Sequence, residues 1–372
     1  MLVRKDDGFD YAAGIDSKGR TLKQEQFRAS KTAVSKALAT GNPLFMTEKL
    51  DSDFAAQRSV MDLELGAVAC IPLHGLPADG DTPVVLGLLY LDSRKPMHTL
   101  TGLDEKIVNK LAIEAANVLE RVELVKSIEQ RRTLEHELAL AEETQKALLP
   151  AHLPEIAGFR FGAYSKPTRY VGGDFYDFIP GPNDGFYGLL GDVSGKGVSA
   201  SLVSSMALGC LRTQLRSGHP LVSPIESLNL LLSETAPERF VTMFLLQLDA
   251  NGNGTYLSAG HNTAFLLRGA SGHLEDIVSN NMIVGAFDFA TFHSDTISLT
   301  PGDVLLVYSD GLSEAEKPSG EMLGEEAVRK TLKDNARGGV DVVQAALLDL
   351  VESFTEGHAQ NDDITMIIVE AR

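Results

Sequence analysis

The chain has 372 residues, with 33 basic residues, 51 acidic residues and a formal net charge of −18 at pH 7. This length predicts two domains and a connector, because single hydrophobic cores stop growing at about 250–300 residues. The acidic balance argues against nucleic-acid and anionic-membrane partners, and without a signal-peptide pattern or a membrane-length apolar run the protein is expected in the cytoplasm.

The N-terminal part predicts a small antiparallel sheet with one helix. Two short strand-like runs, Leu2–Arg4 and Asp10–Ala13, precede a polar helical segment, Gln24–Thr40. Two apolar runs of strand length follow, Ala67–Leu73 and Val84–Leu91, with a loop rich in Gly, Pro and Asp between them. This arrangement predicts neighbouring antiparallel strands.

A long helix is predicted from Thr101, a suitable N-cap residue, to Pro150, the first clear stop signal. It carries two sets of residues at the 4-3-4-3 spacing of a coiled-coil seam. Continuing the first set would place Glu129 and Arg132 in the seam, so we predict a phase break near Ile128–Thr133. We expect a parallel homodimer through this helix; packing against its own domain is the alternative. The first set is Leu111, Ala115, Val118, Val122 and Val125, and the second is Leu134, Leu138, Ala141, Gln145 and Leu148.

The rest of the chain alternates strand-like runs with helix pairs. Its 28 acidic and 14 basic residues indicate either a solvated acidic surface or carboxylates gathered for a hard cation. The order of elements predicts two antiparallel sheets with helices on the outside. Strands are expected at Phe159–Tyr164, Phe186–Val193, Phe240–Leu248, Thr255–Leu257, Ala264–Arg268, Thr296–Leu299, Val304–Tyr308 and Ile364–Val369, and helices at Val198–Ser217, Pro224–Thr235, Glu325–Asn335 and Val340–Thr355.

Four short motifs place an aspartate at a strand end or in the following turn. They are VGGD at Asp174, GDVSGKG at Asp192, YSDG at Asp310 and NDDIT at Asp362 and Asp363. Mg²⁺ and Mn²⁺ prefer oxygen ligands, and two such ions about 3.5–4 Å apart can activate a shared water. The motifs therefore predict a metal site, with ordinary turn aspartates as the alternative.

From about Glu143 to Arg372 the chain resembles the metal-dependent protein phosphatase (PPM) family, in its bacterial SpoIIE-type branch. The resemblance implies an α-β-β-α sandwich with two Mn²⁺ or Mg²⁺ ions. It also implies a regulated serine/threonine phosphatase that acts on a phosphoserine of an anti-sigma-factor antagonist, in a partner-switching pathway. The motifs, in order, are QKALLP (Gln145–Pro150), YVGGDFYDF (Tyr170–Phe178), GDVSGKGVSASLVSSM (Gly191–Met206), FVTMF (Phe240–Phe244), SAGHN (Ser258–Asn262), YSDGLSEA (Tyr308–Ala315) and DDIT (Asp362–Thr365).

The resemblance also assigns expected roles at the metal site. Asp192 would bridge the two ions and serve catalysis directly, and the carbonyl of Val193 would add an oxygen ligand. Asp174, Asp310 and Asp362 would complete the protein ligands, directly or through water. Three further residues would lie behind the ligands or in turns: Asp177, Gly311 and Asp363. Three residues at the end of the long helix would be regulatory: Gln145, Leu148 and Leu149.

Three basic side chains near these motifs have open roles. Arg169, five residues before Asp174, is expected to bind the substrate phosphate in a bidentate manner, with a surface ion pair as the alternative. His261 in SAGHN is either a general acid or a hydrogen-bonded structural histidine. Lys196 lies in a glycine-rich turn that lacks the G-x-x-x-x-G-K-[ST] spacing, so an ATP-binding loop is rejected.

The N-terminal part resembles a GAF sensory domain, without that domain's usual leading helix. The segments that carry this resemblance are ACIPL (Ala69–Leu73), LGLLYLDSR (Leu86–Arg94) and the helix over Leu100–Glu120. We therefore expect an α+β protein in three parts: a GAF-like α/β sensor at 1–118, a coiled-coil linker helix at 119–150, and the phosphatase domain at 151–372. The chain is expected to be a fragment of a longer protein.

Two other functions compete with a phosphatase. VGGDF is similar to the GGDEF signature of nucleotide cyclases, although Phe175 stands where an acid is expected. That interpretation would also leave the YSDG and DDIT motifs unexplained. A phosphatase-like module that only binds its partner is the second alternative, and the four intact acidic positions argue against it.

Overall fold

The computed structural model describes residues 1–5, 8–47, 65–75, 84–93 and 102–372. The chain forms two compact units, Met1–Leu134 and Glu135–Arg372. Their boundary falls inside the predicted linker, and the three-part division remains a prediction. In the part of the chain that the structure describes, no helix combines the length and hydropathy that a bilayer span requires.

The N-terminal unit contains an antiparallel sheet in the order β2-β1-β5-β4-β3. The predicted pairing of the two apolar runs is confirmed, because β4 and β5 are antiparallel neighbours. The predicted helix over Gln24–Thr40 is wrong in its first half, where only a 3₁₀ turn at Gln24–Gln26 forms. The elements are β1 (Leu2–Lys5), β2 (Gly8–Tyr11), α1 (Lys31–Thr40), β3 (Leu44–Thr47), β4 (Ala67–His74) and β5 (Val85–Ser93).

Alternation along β4 explains why both faces of this sheet are covered. Cys70 belongs to a buried cluster with Ala33 and Ala37 of α1. Ile71, on the opposite face, belongs to a cluster with residues of the next helix, including Ala112. Burial raises the pKa of the Cys70 thiol to about 12, which makes it a packing residue at neutral pH.

The next helix, α2 (Gly102–Leu148), is continuous through the predicted phase break. Near that break the Thr133 hydroxyl donates to the Glu129 carbonyl at 3.0 Å, a local contact that leaves the helix intact. The predicted N-cap, Thr101, lies outside the described residues. Several apolar residues of both predicted seams are exposed: Leu111, Val118, Val122, Val125, Leu134 and Leu148.

The C-terminal unit contains two antiparallel sheets, in the orders β13-β10-β9-β8-β7 and β12-β11-β14-β15-β6. Eight of these strands match the predicted positions, and the sequence analysis missed β7 and β12. The strands are β6 (Phe159–Lys166), β7 (Phe175–Pro180), β8 (Phe186–Val193), β9 (Val241–Leu248), β10 (Asn253–Ala259), β11 (Ala264–Leu267), β12 (Leu274–Ile277), β13 (Asp295–Ser298), β14 (Val304–Tyr308) and β15 (Ile364–Ala371).

Helices cover the outer face of each sheet, as predicted. One buried cluster joins α3 and α4 to the first sheet, and another joins α6 and α7 to the second. A third cluster, rich in phenylalanine, lies between the two sheets. These layers form an α-β-β-α sandwich. The helices are α3 (Val198–Arg216), α4 (Val222–Thr235), the short α5 (Asp310–Ser313), α6 (Glu325–Asn335) and α7 (Val340–Thr355), with a 3₁₀ turn at Ala336–Gly338.

Candidate metal centre

Strand register brings all four aspartate motifs to one end of the sandwich. In the first sheet Phe175 pairs with Gly191, so the residue before β7 and the end of β8 lie side by side. In the second sheet Tyr308 pairs with Met366, so the end of β14 meets the start of β15. The motifs at Asp174, Asp192, Asp310 and Asp362 therefore share one edge.

One hydrogen bond joins the two halves of this edge, and a close backbone approach shapes the half that belongs to the first sheet. The Ser309 hydroxyl, at the end of the second sheet, donates to the Asp174 carboxylate at 2.7 Å. Gly173 lies so close to β8 that a Cβ there would be 2.7 Å from the Val193 carbonyl oxygen. The glycine before Asp174 thus allows a close backbone approach, and the Val193 oxygen lies beside the aspartates.

The electrostatics of the aspartates favour a cation. Burial and the neighbouring Asp310 carboxylate raise the pKa of Asp192 to about 7. Burial and then Asp362 raise the pKa of Asp310 to about 6. Burial and then the Asp192 charge raise the pKa of Asp174 well above its ordinary value. Carboxylates that repel one another in this way are stabilised when a positive charge lies between them.

The donor set suits a hard cation that keeps part of its water. Within the described residues, no three His, Cys, Asp or Glu side chains converge closely enough to hold one ion by themselves. Mg²⁺ is commonly held by one or two carboxylates together with several waters. The aspartates and the Val193 carbonyl oxygen fit that mode of binding, with oxygen atoms alone as donors.

Adjacent aspartates at the start of β15 have different surroundings. Asp362 forms an ion pair with Lys196 at 2.9 Å, and the lysine also donates to the carbonyl of Asn361. Asp363 instead accepts from the Thr168 backbone at 2.7 Å, from the Thr168 hydroxyl at 2.8 Å and from the Gly173 amide at 2.8 Å. Asp363 therefore fixes the loop before Asp174.

Asp177 lies further along β7 and is buried. Its carboxylate pairs with Arg212 of α3 at 2.6 Å. Another nitrogen of the same guanidinium donates to the Leu148 carbonyl at 2.8 Å. Asp177 thus supports the arginine that holds the C-terminal end of α2. Gly311, which was also expected behind the ligands, leaves no room for a side chain, because the Asp363 backbone packs directly against it.

The last turn of α2 contacts the loop of the metal centre. The Gln145 amide donates to the Gly172 carbonyl at 2.7 Å and accepts from the Gly172 amide at 3.1 Å. It also donates to the Ser204 hydroxyl at 3.2 Å. Leu149 packs against the cluster under α3 and the cluster between the sheets. These contacts anchor the helix end two residues from Asp174.

Arg169 and His261 differ sharply in exposure. The Arg169 side chain is exposed and forms no hydrogen bond or ion pair with another described residue, so its phosphate-binding role remains a prediction. His261 is 5% exposed, and its Nδ1 lies 3.1 Å from the Thr242 hydroxyl. Burial lowers the pKa of His261 to about 4, so it is neutral at physiological pH. The structural role is therefore favoured over general-acid catalysis.

Four residues hold this site together through contacts that were not predicted from the sequence. Ser309 lies next to a predicted ligand in the motif YSDG, and this position was the one indication in the sequence that it belongs to the site. Thr168, Lys196 and Arg212 meet carboxylates that are 35 to 195 residues away in the chain. Such pairs depend on the tertiary fold, and neither spacing nor periodicity indicates them.

Comparison with known proteins agrees with this architecture. The family model described as "Stage II sporulation protein E (SpoIIE)" matches residues 182–372. Protein IcfG of Synechocystis is 29% identical over 266 residues, which is 63% of this chain and 41% of IcfG. Phosphoserine phosphatase RsbU of Bacillus subtilis is 23% identical over 247 residues, 65% of this chain and 72% of RsbU. The chain thus spans less than half the length of IcfG.

Solved structures share the fold of the C-terminal unit. The SiaA PP2C domain of Pseudomonas aeruginosa has a TM-score of 0.57 and 18% identity, covering 65% of this chain and 98% of that domain. A Mycobacterium tuberculosis structure of RsbU and RsbW domains has a TM-score of 0.51 and 23% identity, covering 59% of this chain and 61% of that one. Since the family match takes in just over half of the sequence and includes three of the four aspartate motifs, the chain belongs to the SpoIIE family of PPM-type phosphatase domains.

Proposed function

We propose that this chain is a serine/threonine phosphoprotein phosphatase that works with two Mn²⁺ or Mg²⁺ ions. The observation that carries the proposal is the convergence of four aspartate motifs at one end of the two sheets, where burial and then mutual repulsion raise the carboxyl pKa values. RsbU and RsbP of Bacillus subtilis, both described as phosphoserine phosphatases, are relatives of this chain.

The ions would be held by Asp192 between them, by the Val193 carbonyl, and by three further aspartates. When bound, they supply the positive charge that lowers the pKa of water and neutralises the phosphate. Ser309 orients the Asp174 carboxylate, and Asp363 fixes the loop that carries it. The three further aspartates of the proposed ligand set are Asp174, Asp310 and Asp362.

The same geometry supports direct attack by water, without a phosphoenzyme. Nucleophilic catalysis by Ser or Cys needs an adjacent base, usually a histidine. His261 is buried, neutral and bonded to Thr242, and Cys210 lies in the middle of α3. We therefore expect that no covalent phosphoryl intermediate accumulates.

We infer that the substrate is a phosphoserine on an anti-sigma-factor antagonist, in a cytoplasmic partner-switching pathway. The family membership and the two phosphoserine phosphatases among the relatives support this substrate class. The substrate phosphate would be bound by the ions and by Arg169, whose exposed side chain is available to a ligand. A bidentate contact from Arg169 would add a charge-assisted pair of hydrogen bonds.

We also propose that the N-terminal unit is a GAF-like sensor and that α2 pairs with a second copy as a parallel coiled coil. The exposed apolar residues along α2 support the pairing, because water-exposed valines and leucines at seam spacing favour association. In this proposal Gln145, Leu148 and Leu149 transmit the state of the helix to the loop that carries Asp174.

A phosphatase assay tests the proposal directly. Hydrolysis of a phosphoserine peptide should require Mn²⁺ or Mg²⁺ and stop in EDTA. Conversion of GTP to a cyclic product, measured in parallel, would indicate the nucleotide cyclase alternative instead. Phe175 weighs against that alternative, because its side chain is buried in the core under α3. Binding of the phosphoprotein without hydrolysis would support the non-catalytic alternative.

A further inference from the structure

Arg239, which precedes β9, holds the turn that follows Asp192. Its guanidinium donates to the Ser194 carbonyl and to the Ser199 hydroxyl, the latter at 2.6 Å. The next residue, Phe240, donates its amide to the Ser194 hydroxyl at 3.0 Å. The turn includes Gly195, whose φ of +89° favours glycine. Arg239 and Phe240 therefore lie at the rim of the metal centre.

The charge of Arg239 is not balanced by an acid in the described part of the chain. Its contacts are neutral oxygen atoms, whereas Arg212, Arg268 and Arg329 each form an ion pair with a carboxylate. Acidic residues outnumber basic residues by about two to one in this unit, and within the described residues the Arg239 guanidinium has only neutral oxygen atoms as hydrogen-bond partners. It is suited to a negatively charged group on a partner.

Exposed apolar side chains lie on the elements that Arg239 joins. Val198 and Leu202 lie one turn apart on the same face of α3, and their exposed fractions are 47% and 66%. Ser199, between them, is the residue that Arg239 binds. Phe240 is 38% exposed. Together these residues, Val198, Leu202, Arg239 and Phe240, define a surface that we name the rim patch.

We propose that the rim patch is the docking surface for the polypeptide around the substrate phosphoserine. The inference rests on the proposed function. A phosphoserine bound at Asp192 would have its flanking residues close to the turn that follows Asp192, and Arg239 and Phe240 form one side of that turn. The apolar side chains fit an apolar substrate residue, and Arg239 fits a carboxylate beside the phosphoserine.

Two synthetic phosphoserine peptides and p-nitrophenyl phosphate test this surface. The first peptide has leucine and glutamate beside the phosphoserine, and the second has glycine and lysine at the same positions. With Mn²⁺ present, the wild-type chain should prefer the first peptide by about tenfold in kcat/KM. Leu202→Ser should remove most of this preference, because Leu202 offers the most exposed apolar side chain of the patch.

The small substrate separates docking from chemistry. p-Nitrophenyl phosphate has no flanking residues, so Leu202→Ser should change its kcat/KM by less than about twofold. Val342→Ser is the matched control, since Val342 is an exposed valine on α7, at the other sheet. It should keep the wild-type peptide preference.

Arg239→Gln supplies a second test that isolates charge. Glutamine keeps an uncharged hydrogen-bond donor at this position but offers no positive charge to the substrate. The Arg239→Gln variant should no longer prefer the peptide with glutamate beside the phosphoserine over the peptide with lysine there. Equal use of both peptides by the wild-type chain, or an unchanged preference in Leu202→Ser and Arg239→Gln, would overturn the docking surface alone. If none of the three substrates is hydrolysed with Mn²⁺ present, the proposed function is overturned, and the docking surface with it.

Discussion

Gln145 and Gly172 are joined by two hydrogen bonds, in which the side-chain amide of the glutamine both donates to and accepts from the glycine backbone. An amide side chain can satisfy a backbone carbonyl and a backbone N–H at the same time. The pair connects the end of α2 to the loop that carries Asp174. A shift of this helix end would therefore change the position of Asp174, a proposed metal ligand.

Gln145→Ala should weaken metal binding more than it weakens the fold. Two net hydrogen bonds of about 1 kcal/mol each correspond to about a tenfold to thirtyfold rise in the Mn²⁺ concentration needed for half-maximal activity. A Mn²⁺ titration of phosphatase activity measures this shift. Glu137→Ala, at an exposed position of the same helix, is the control. An unchanged Mn²⁺ requirement in Gln145→Ala would show that the contact does not reach the metal centre.

Asp192→Asn and Asp310→Asn should each abolish hydrolysis while the protein remains folded. Loss of a ligand carboxylate removes charge neutralisation and water activation, which together should cost at least about 10³-fold in kcat. Circular dichroism and thermal unfolding would check the fold, and a phosphoserine peptide would report activity. Asp249→Asn, in an exposed turn after β9, provides a control that removes a carboxylate elsewhere. Residual activity of Asp192→Asn near the wild-type level would contradict the assignment.

In the metal-free protein the stability contributed by Asp192 and Asp310 should fall as the pH rises from about 4 to 8, and this fall is partly offset below about pH 6.5 by His261, whose pKa burial lowers to about 4. The pKa values of Asp192 and Asp310 are about 7 and about 6 in the folded chain, above the ordinary value near 3.9 in an unfolded chain. Between these values the folded state binds more protons than the unfolded state, so deprotonation favours unfolding. Urea unfolding in EDTA at pH 5, 6.5 and 8 measures the trend.

Asp192→Asn isolates the contribution of that carboxyl group. The variant cannot ionise at this position, so its free energy of unfolding in EDTA should fall less between pH 5 and 8 than that of the wild type. At pH 8 it should be the more stable protein, because it lacks the buried carboxylate whose ionisation disfavours the folded state. Parallel pH dependences in the two proteins would refute this account of the repulsion.

Arg212→Met should destabilise the C-terminal unit and release the end of α2. The substitution leaves the buried Asp177 carboxylate without its partner, a change that typically costs about 3–5 kcal/mol. Because Arg212 also binds the Leu148 carbonyl, proteolysis near Pro150 should accelerate. The double variant Asp177→Asn/Arg212→Met should recover part of the stability, since it removes the unpaired charge. If the double variant is no more stable than Arg212→Met, the ion pair is not the cause.

Elements with a strong local pattern were predicted well from the sequence. The limits of β8, β14, α6 and α7 agree with the structure, because each is a long apolar or amphipathic run between clear turn signals. Strand β7 was missed because Asp177 interrupts its apolar run, and the ion pair with Arg212 and a hydrogen bond from the Phe178 amide make that acid acceptable in the interior. Strand β12 has four residues, two of them acidic, so it lacks a strand pattern.

The metal centre was predictable as a set of motifs but not as a network. Asp362 and Asp363 are adjacent aspartates that only the family resemblance distinguishes in the sequence, and both lie in the loop just before β15. Asp362 pairs with Lys196, whereas Asp363 accepts hydrogen bonds from Thr168 and Gly173. These partners lie far away in the chain, so the tertiary fold alone determines which aspartate faces which group.

The phase break in α2 leads to the last prediction, which concerns control of activity. The helix backbone is continuous there, so in the proposed parallel dimer a change of state would lie in how the two helices pack. Two seams that are out of phase offer two alternative packings of a parallel dimer. If their energies are similar, a signal in the N-terminal unit can select one of them.

Replacing Glu129 and Arg132 with leucine would extend the first seam through the break and favour one packing. Basal phosphatase activity and its Mn²⁺ requirement should then change about fivefold or more, which corresponds to a bias of about 1 kcal/mol between the two states. The sign depends on which packing is the active one. The control is Glu123→Leu/Lys126→Leu, because it removes the same charges at the same spacing, outside the seam. Sedimentation should show a dimer for the wild type and both variants. A monomeric wild-type enzyme with full activity, or a seam variant with unchanged activity and Mn²⁺ requirement, would exclude helix register as the means of control.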